Sequence, residues 1–344
     1  MKLFCEVLLK PLLCMLLIVL VAGCTEAPKE TSQEAPPAAH ADTPPAPESE
    51  PQSRSERQPE PVATYLNGQR GGGRPYEIIG SEVWDVPDPM SGRTYQVFVT
   101  RPRSYVDHPE RRYPVLYVTD ADYAFPLLRQ IAGRLNGNGP KIEDFILVGL
   151  SYAIGEDGMP SRRRDYTPTA GGARGKAIGT LHGQATAYID YLRDQVLPFV
   201  AGRYRTDENR RYYLGHSYGG LLGTQVLLSD PTLFAGYVLG SPSYWYDDHH
   251  MDGMEAAFAA AHQDLPAQVY MYVGEYEDMR PGDPRYAKRY NMVTDARRMT
   301  RSLRSRGYPS LRIQLDVLQE EDHLSVAPTG FTRGIKFLFG KPSF

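Results

Sequence analysis

Cysteine is scarce in this chain and confined to one end of it. Cys5, Cys14 and Cys24 all fall within the first 24 residues, so the remainder has no thiol for a disulfide or a thiolate metal site and must rest on a hydrophobic core. Clustered metal ligands are missing as well. The eight histidines include no H-E-x-x-H pattern, and the adjacent pair His249 and His250 suits a solvated loop better than two ligands converging on one ion. Nothing in these residues requires a metal. Charge of one sign is also lacking: the formal net charge is -3 and the basic residues are scattered without forming a stripe, which gives no electrostatic footprint for nucleic acid. The apolar run from Leu12 to Ala22 is too short to span a bilayer comfortably.

That short run is about right for the core of a signal peptide, and Lys2 and Lys10 accompany it. Its end, Val21-Ala22-Gly23-Cys24, resembles a bacterial lipobox. The resemblance implies cleavage before Cys24 and lipid on its sulfur and on the new amino terminus, an anchor of several acyl chains. An ordinary signal peptide ending near a cysteine is the plainer alternative. Thr25 follows, and in a Gram-negative cell the absence of Asp there would fit an outer-membrane protein facing the periplasm. From Glu26 to about Gln69 the chain is rich in Pro, Ala, Glu and Ser with almost no large apolar residue, too little to offset the entropy of ordering. The expected organisation is a lipoprotein signal peptide at 1–24, a disordered tether at 25–75 and one catalytic domain at 76–344.

Apolar or β-branched runs predict strands at Tyr95 to Thr100, Val115 to Thr119, Phe145 to Leu150, Arg211 to Leu214, Gly236 to Leu239, Val269 to Val273 and Leu311 to Val317. Helical spacing appears at Thr186 to Val200, Leu221 to Leu228 and Val293 to Leu303. Alternation of the two indicates an α/β fold with a mostly parallel sheet covered by helices on both faces. Such sheets carry their chemistry in loops beyond the carboxyl ends of the strands.

One such loop holds Gly215-His216-Ser217-Tyr218-Gly219, a G-x-S-x-G between strand and helix where glycines permit the tight turn that projects a nucleophilic serine. Ser217 is the candidate nucleophile, and the amide of Tyr218, at a helix N-terminus, is a candidate oxyanion donor. A serine hydroxyl needs a base, and the chain order of this site type puts one near the C-terminus. His323 lies there, after the last strand; His182 is a weaker competitor, and His216 suits packing or substrate contact. The acid that orients the base belongs after the strand Val269 to Val273, where Glu275, Glu277 and Asp278 stand. Glu277, three residues beyond Gly274, is preferred, ahead of Asp278 and then Glu275. Arg162, Arg163 and Arg164 occupy what reads as a Gly- and Pro-containing loop, where a guanidinium could take an anionic substrate in a fork. Tyr244, Trp245 and Tyr246 follow another strand end and could line a pocket for an aryl group or be buried in the core.

Together, Tyr113-Pro-Val-Leu-Tyr-Val-Thr-Asp120, Arg164-Asp165-Tyr166-Thr167-Pro168, Leu197-Pro-Phe-Val200, Gly215-His-Ser-Tyr-Gly-Gly220, Ser241-Pro-Ser-Tyr-Trp245 and Glu321-Asp322-His323 resemble the α/β-hydrolase esterase family that includes esterase D and ferric enterobactin esterase. The likeness covers about residues 76–340 and is nearest to the salmochelin and bacillibactin siderophore esterases. It implies ester hydrolysis by a soluble domain without a cofactor. It also implies that a backbone amide at Ala121 or Asp122 is a second oxyanion donor, and it singles out Arg164 as the motif arginine for substrate. The family usually has Asp-Gly where this chain has Asp120-Ala121. The expected function is therefore a serine carboxylesterase acting on a small-molecule ester, of siderophore, polyester or aryl type. An acyltransferase with the same triad and a non-catalytic binding module are the alternatives. The oligomeric state is not legible.

Overall fold

The computed structural model describes Gly73 and residues 75–137, 139, 141–171 and 181–341. The expected signal peptide at 1–24, the lipid site at Cys24 and the tether, apart from Gly73 and Pro75, lie outside the described residues.

In chain order the elements are β1 (Ser81–Pro87), β2 (Thr94–Thr100), α1 (Ser104–Asp107), β3 (Tyr113–Thr119), α2 (Ala121–Leu135), β4 (Ile146–Ala153) and α3 (Gly158–Asp165). Next come α4 (Ala185–Tyr191), a π-helical turn (Leu192–Val196), α5 (Leu197–Arg203), β5 (Thr206–His216), α6 (Tyr218–Ser229), β6 (Gly236–Gly240) and α7 (His250–Ala261). β7 (Gln268–Gly274), a 3₁₀ turn (Glu275–Glu277), α8 (Met292–Ser305), β8 (Arg312–Leu318) and α9 (Ala327–Phe339) complete the list.

The strands form one sheet of eight in the order β1-β2-β4-β3-β5-β6-β7-β8. β1 and β2 pair antiparallel, and β2 meets β4 antiparallel; every other pairing is parallel. This is the expected mostly parallel α/β sheet. Its central strands show why they read as continuous apolar runs. In β3, Val115 and Tyr117 enter one core layer while Leu116 and Val118 enter the other, as side chains alternating across a sheet buried on both faces must. One layer holds residues of α2 and α9 such as Phe125 and Phe331. The other holds residues of α4, α6, α7 and α8 such as Tyr188, Leu222, Phe258 and Leu303.

Register then fixes where the loops emerge. His216 pairs with Gly240, Gly240 with Tyr272, and Gly274 with Leu318. The turns after β5, β6, β7 and β8 therefore leave the same end of the sheet side by side, although more than 100 residues of sequence separate His216 from His323. Among the described residues, no helix is long and apolar enough to cross a membrane.

Candidate active site

Ser217 links β5 to α6 with φ 59° and ψ −117°, outside the regions favoured by a residue with a Cβ. Such a conformation costs on the order of 1–3 kcal/mol and persists only when its surroundings hold it. They do so here through backbone: Ser217 N–H donates to the Gly240 carbonyl at 2.8 Å, and Ser217 O accepts from Leu221 N–H at 3.0 Å. The flanking glycines are required by space. A Cβ on Gly215 would lie 2.4 Å from the carbonyl carbon of Gly219, and one on Gly219 would lie 2.3 Å from Thr119 Oγ1.

Beyond β7, Gly274 and the following 3₁₀ turn bring Glu277 inward, 3% exposed. Its Oε1 accepts from Ser241 Oγ at 2.6 Å and from Gly274 N–H at 2.8 Å. Its Oε2 lies 2.6 Å from His323 Nδ1. A carboxylate can only accept, so Nδ1 carries the proton and Nε2 is left with its lone pair. The other two candidate acids are engaged elsewhere. Glu275 accepts from Tyr286 Oη at 2.7 Å and from Glu320 N–H at 3.1 Å, and Asp278 accepts from Met279 N–H at 3.0 Å.

Ser217 and His323 line one cavity of about 480 Å³ with Ser243, Trp245 and Tyr290. Ser217 Oγ lies 3.4 Å from Ser243 Oγ, and among the described residues the His323 ring donates its hydrogen bond to Glu277 alone, so the serine and imidazole share the cavity without being bonded to one another. Trp245 stacks on Tyr290, centroids 3.9 Å apart and planes 10° from parallel, which makes a flat aromatic wall. Tyr244 and Tyr246 are buried in the core instead.

Tyr218 opens α6 and Ala121 and Asp122 open α2, positions whose amides have no intrahelical acceptor. The close approach of Gly219 to Thr119 brings the two helix starts together. Between them, Asp120 sits at φ 55° and takes a forked ion pair from Arg162, at 2.9 and 3.2 Å. The Asp122 carboxylate turns to Ser151 Oγ, 2.9 Å away.

Two expected substrate contacts need correction. Arg164 is 4% exposed and its guanidinium is taken up by Asp165, Glu156 and Tyr95, which leaves nothing to offer a ligand. The reason is helical phase: the segment read as a loop is α3, and residues two apart on a helix project about 200° apart. Arg162 therefore faces Asp120 and the ring of Tyr218 while Arg164 faces the core. His216, 8% exposed, is a brace. Its Nε2 lies 3.0 Å from the His323 carbonyl, which can only accept, so Nε2 bears the proton and Nδ1 accepts from Tyr272 Oη at 3.3 Å. Burial pulls the His216 pKa down to about 3, with the neighbouring His323 adding to the effect. A neutral ring thus holds the backbone of the loop that carries His323. His182, the weaker candidate base, packs on the ring of Tyr246 and is not among the residues lining this cavity. Among the described residues, no group of three or more His, Cys, Asp or Glu is arranged to hold a metal ion.

The family model described as "Putative esterase" matches residues 89–315, about two thirds of the chain. The chain belongs to this esterase family. It is 27% identical over 272 residues to the ferri-bacillibactin esterase BesA of Bacillus subtilis, covering 76% of this chain and 90% of that one. It is 26% identical over 269 residues to the siderophore triacetylfusarinine C esterase of Aspergillus fumigatus, covering 72% and 89%. Among solved structures, the siderophore hydrolase EstB of Aspergillus nidulans shares the fold with a TM-score of 0.67 at 23% identity, over 78% of this chain and 98% of that one. The chain is accordingly a carboxylic ester hydrolase.

Several features of this esterase's site were not anticipated from sequence. Ser241 and Ser243 flank Pro242 after β6 and reach Glu277 and Ser217 respectively. The repeated small hydroxyl residue at a strand end was the available signal. Lys288, Arg289 and Tyr290, which edge the cavity, come from a segment before α8 with no periodicity to mark it.

Proposed function

We propose that this esterase works through an acyl-enzyme on Ser217, with His323 as general base and Glu277 as its orienting acid. The observation that carries the reading is the 2.6 Å pair between Glu277 and His323 in the cavity that Ser217 also lines. As Ser217 Oγ bonds to the ester carbon, its proton passes to His323 Nε2 and the carbonyl electrons move onto oxygen. The amides of Tyr218 and of Ala121 or Asp122 face that developing charge. Collapse expels the alcohol oxygen, which takes the proton from His323. Water then repeats the sequence in reverse and frees the acid. The resting contact of Ser217 with Ser243 gives way to His323 when substrate fills the cavity, since catalytic hydrogen bonds commonly tighten only in the complex.

The substrate we favour is a siderophore-type or related aryl ester. Support comes from the names of the relatives and from the Trp245–Tyr290 wall, edged by the cations Lys288 and Arg289. Ser217→Ala is expected to lower turnover of a short p-nitrophenyl ester on the order of 10⁶-fold without unfolding the protein. A fluorophosphonate should label the wild type at Ser217 and fail to label the variant. Full turnover by the alanine variant excludes the mechanism.

Export and lipidation at Cys24 belong to the same proposal, supported by Val21-Ala22-Gly23-Cys24 and the Pro-rich stretch after it. Cys24→Ser should move the protein from the membrane to the soluble fraction of the producing cell. Unchanged membrane association would contradict it.

A further inference from the structure

A second cavity, of about 860 Å³, lies between the segment 100–107 that leaves β2, the C-terminal half of α2 and the segment 142–147 that enters β4. The parallel strands begin at this end of the sheet, so the cavity is at the pole opposite Ser217. Its floor is apolar, with Ile142, Phe145 and Leu147 all buried. Its walls are cationic. Arg103, Arg129 and Arg134 line it, and among the described residues none of the three has a carboxylate in ion-pair range. Arg129 Nη2 donates to the Ile79 carbonyl at 2.8 Å, while its Nε is buried with no hydrogen-bond partner among the described residues.

The carboxylates nearby answer this charge only in part. Glu143 is paired with Arg111 and Arg210, whereas Asp144 accepts only from the neutral Ser104 Oγ and Asn136 Nδ2 and keeps its charge, although both of its oxygens are already engaged. Asp107 lies exposed on the rim and, among the described residues, no ion pair holds it; with Asp144 it makes two carboxylates against three guanidiniums, an excess of one positive charge. Like charges gathered around a low-dielectric floor repel one another, and a bound anion would relieve this. The volume falls within the usual range of small-molecule sites, and an apolar floor with a few polar groups is their usual make-up.

We propose that this cavity binds a small organic anion with an apolar body, a medium-chain carboxylate or alkyl phosphate. Its head would lie among Arg103, Arg129 and Arg134 and its chain over Ile142, Phe145 and Leu147. Gly133 offers a clean test, because it lines the cavity and a Cβ added there meets nothing within 4 Å. Leucine also favours the helix over glycine, so Gly133→Leu fills the site without opposing the fold.

The experiment is calorimetric titration of the full chain with octyl phosphate and octanoate, with 1-octanol and inorganic phosphate as the two halves of the ligand, and p-nitrophenyl ester hydrolysis followed in parallel. Expected is saturable one-to-one binding of either amphiphile, at least tenfold tighter than either half, without competition against the ester. Arg134→Glu and Gly133→Leu should each weaken it at least tenfold while leaving kcat/KM for the ester unchanged. The proposal is overturned by no saturable binding at millimolar ligand, by octanol or inorganic phosphate binding as tightly as the amphiphiles, by competition with the ester, or by both variants binding like the wild type. Because ester turnover is read separately, failure here leaves the Ser217 mechanism standing.

Discussion

Glu277 is surrounded by donors. One oxygen is held by Ser241 and Gly274 and the other meets His323, so all of its protein-facing bonds are accepted ones. Glu277→Gln would set an amide N–H against one of these donors and would favour the tautomer of His323 with the proton on the wrong nitrogen. We expect kcat to fall by about 10³–10⁴-fold with KM little changed; a variant within tenfold of wild type would remove Glu277 from the proposed triad. At this scale the position of a side chain was legible wherever a motif fixes an offset, as with Ser217 in the turn between its glycines or Glu277, three beyond Gly274 and against His323. It was not legible where it depended on rotation about an element not yet known. Arg162 and Arg164 differ by two positions in sequence, and only the helix beneath them decides which one faces Asp120. His216 shows the same limit, since a side chain beside Ser217 can point to the cavity or to Tyr272, and the backbone turn at Ser217 sends it to Tyr272.

The unit that makes Ser217 possible is the strand–turn–helix of β5 and α6, and its tolerance can be stated from distances. At Gly215 the obstruction to a side chain is backbone, the Gly219 carbonyl group at 2.4 Å, which no rotamer change can relieve. Gly215→Ala must therefore push α6 away from β5 or distort the turn. Overpacking of this kind costs about 1–3 kcal/mol or more, and displacement of the proposed nucleophile by about 1 Å costs about 10²-fold in rate. Urea denaturation and ester hydrolysis should both register the change, and an unaltered midpoint with full activity would contradict the close approach. Elements buried on both faces were easy to read, because β3 and β5 to β7 leave continuous apolar runs. β1 was missed because it is an antiparallel edge strand in which only Val86 is buried, so no run marks it. α2 was missed because Pro126 and Gly133 interrupt its helical pattern, although Ala121, Ala124, Phe125 and Leu128 still line one buried stripe.

For the molecule as a whole, these interactions set a direction for stability against pH. His216 is neutral in the folded state because burial lowers its pKa to about 3 from an ordinary 6.5. Above 6.5 the ring is neutral whether folded or not, and its contribution to stability is complete. As pH falls below 6.5 the unfolded chain takes up a proton that the folded one refuses, so stability drops by about 1.4 kcal/mol per pH unit until the folded pKa is reached. Paired carboxylates add a second loss further down. The Arg210 hydrogen bond lowers the Glu143 pKa and the Arg306 hydrogen bond lowers that of Glu255, so what they contribute disappears as pH falls through their depressed values. Asp165, raised by burial despite Arg164, works weakly the other way. The imidazole's share is isolated by comparison with a variant that lacks it. Thermal unfolding at pH 6 and pH 5 should show the wild type losing about 2–4 °C for this group, and His216→Gln should lose correspondingly less. Since that ring also holds the backbone of residue 323, the variant should start from a lower midpoint at neutral pH. Parallel slopes for the two proteins would mean that the ring is protonated in the folded state, and a charged imidazole at that position would have no neutral Nδ1 with which to accept from Tyr272.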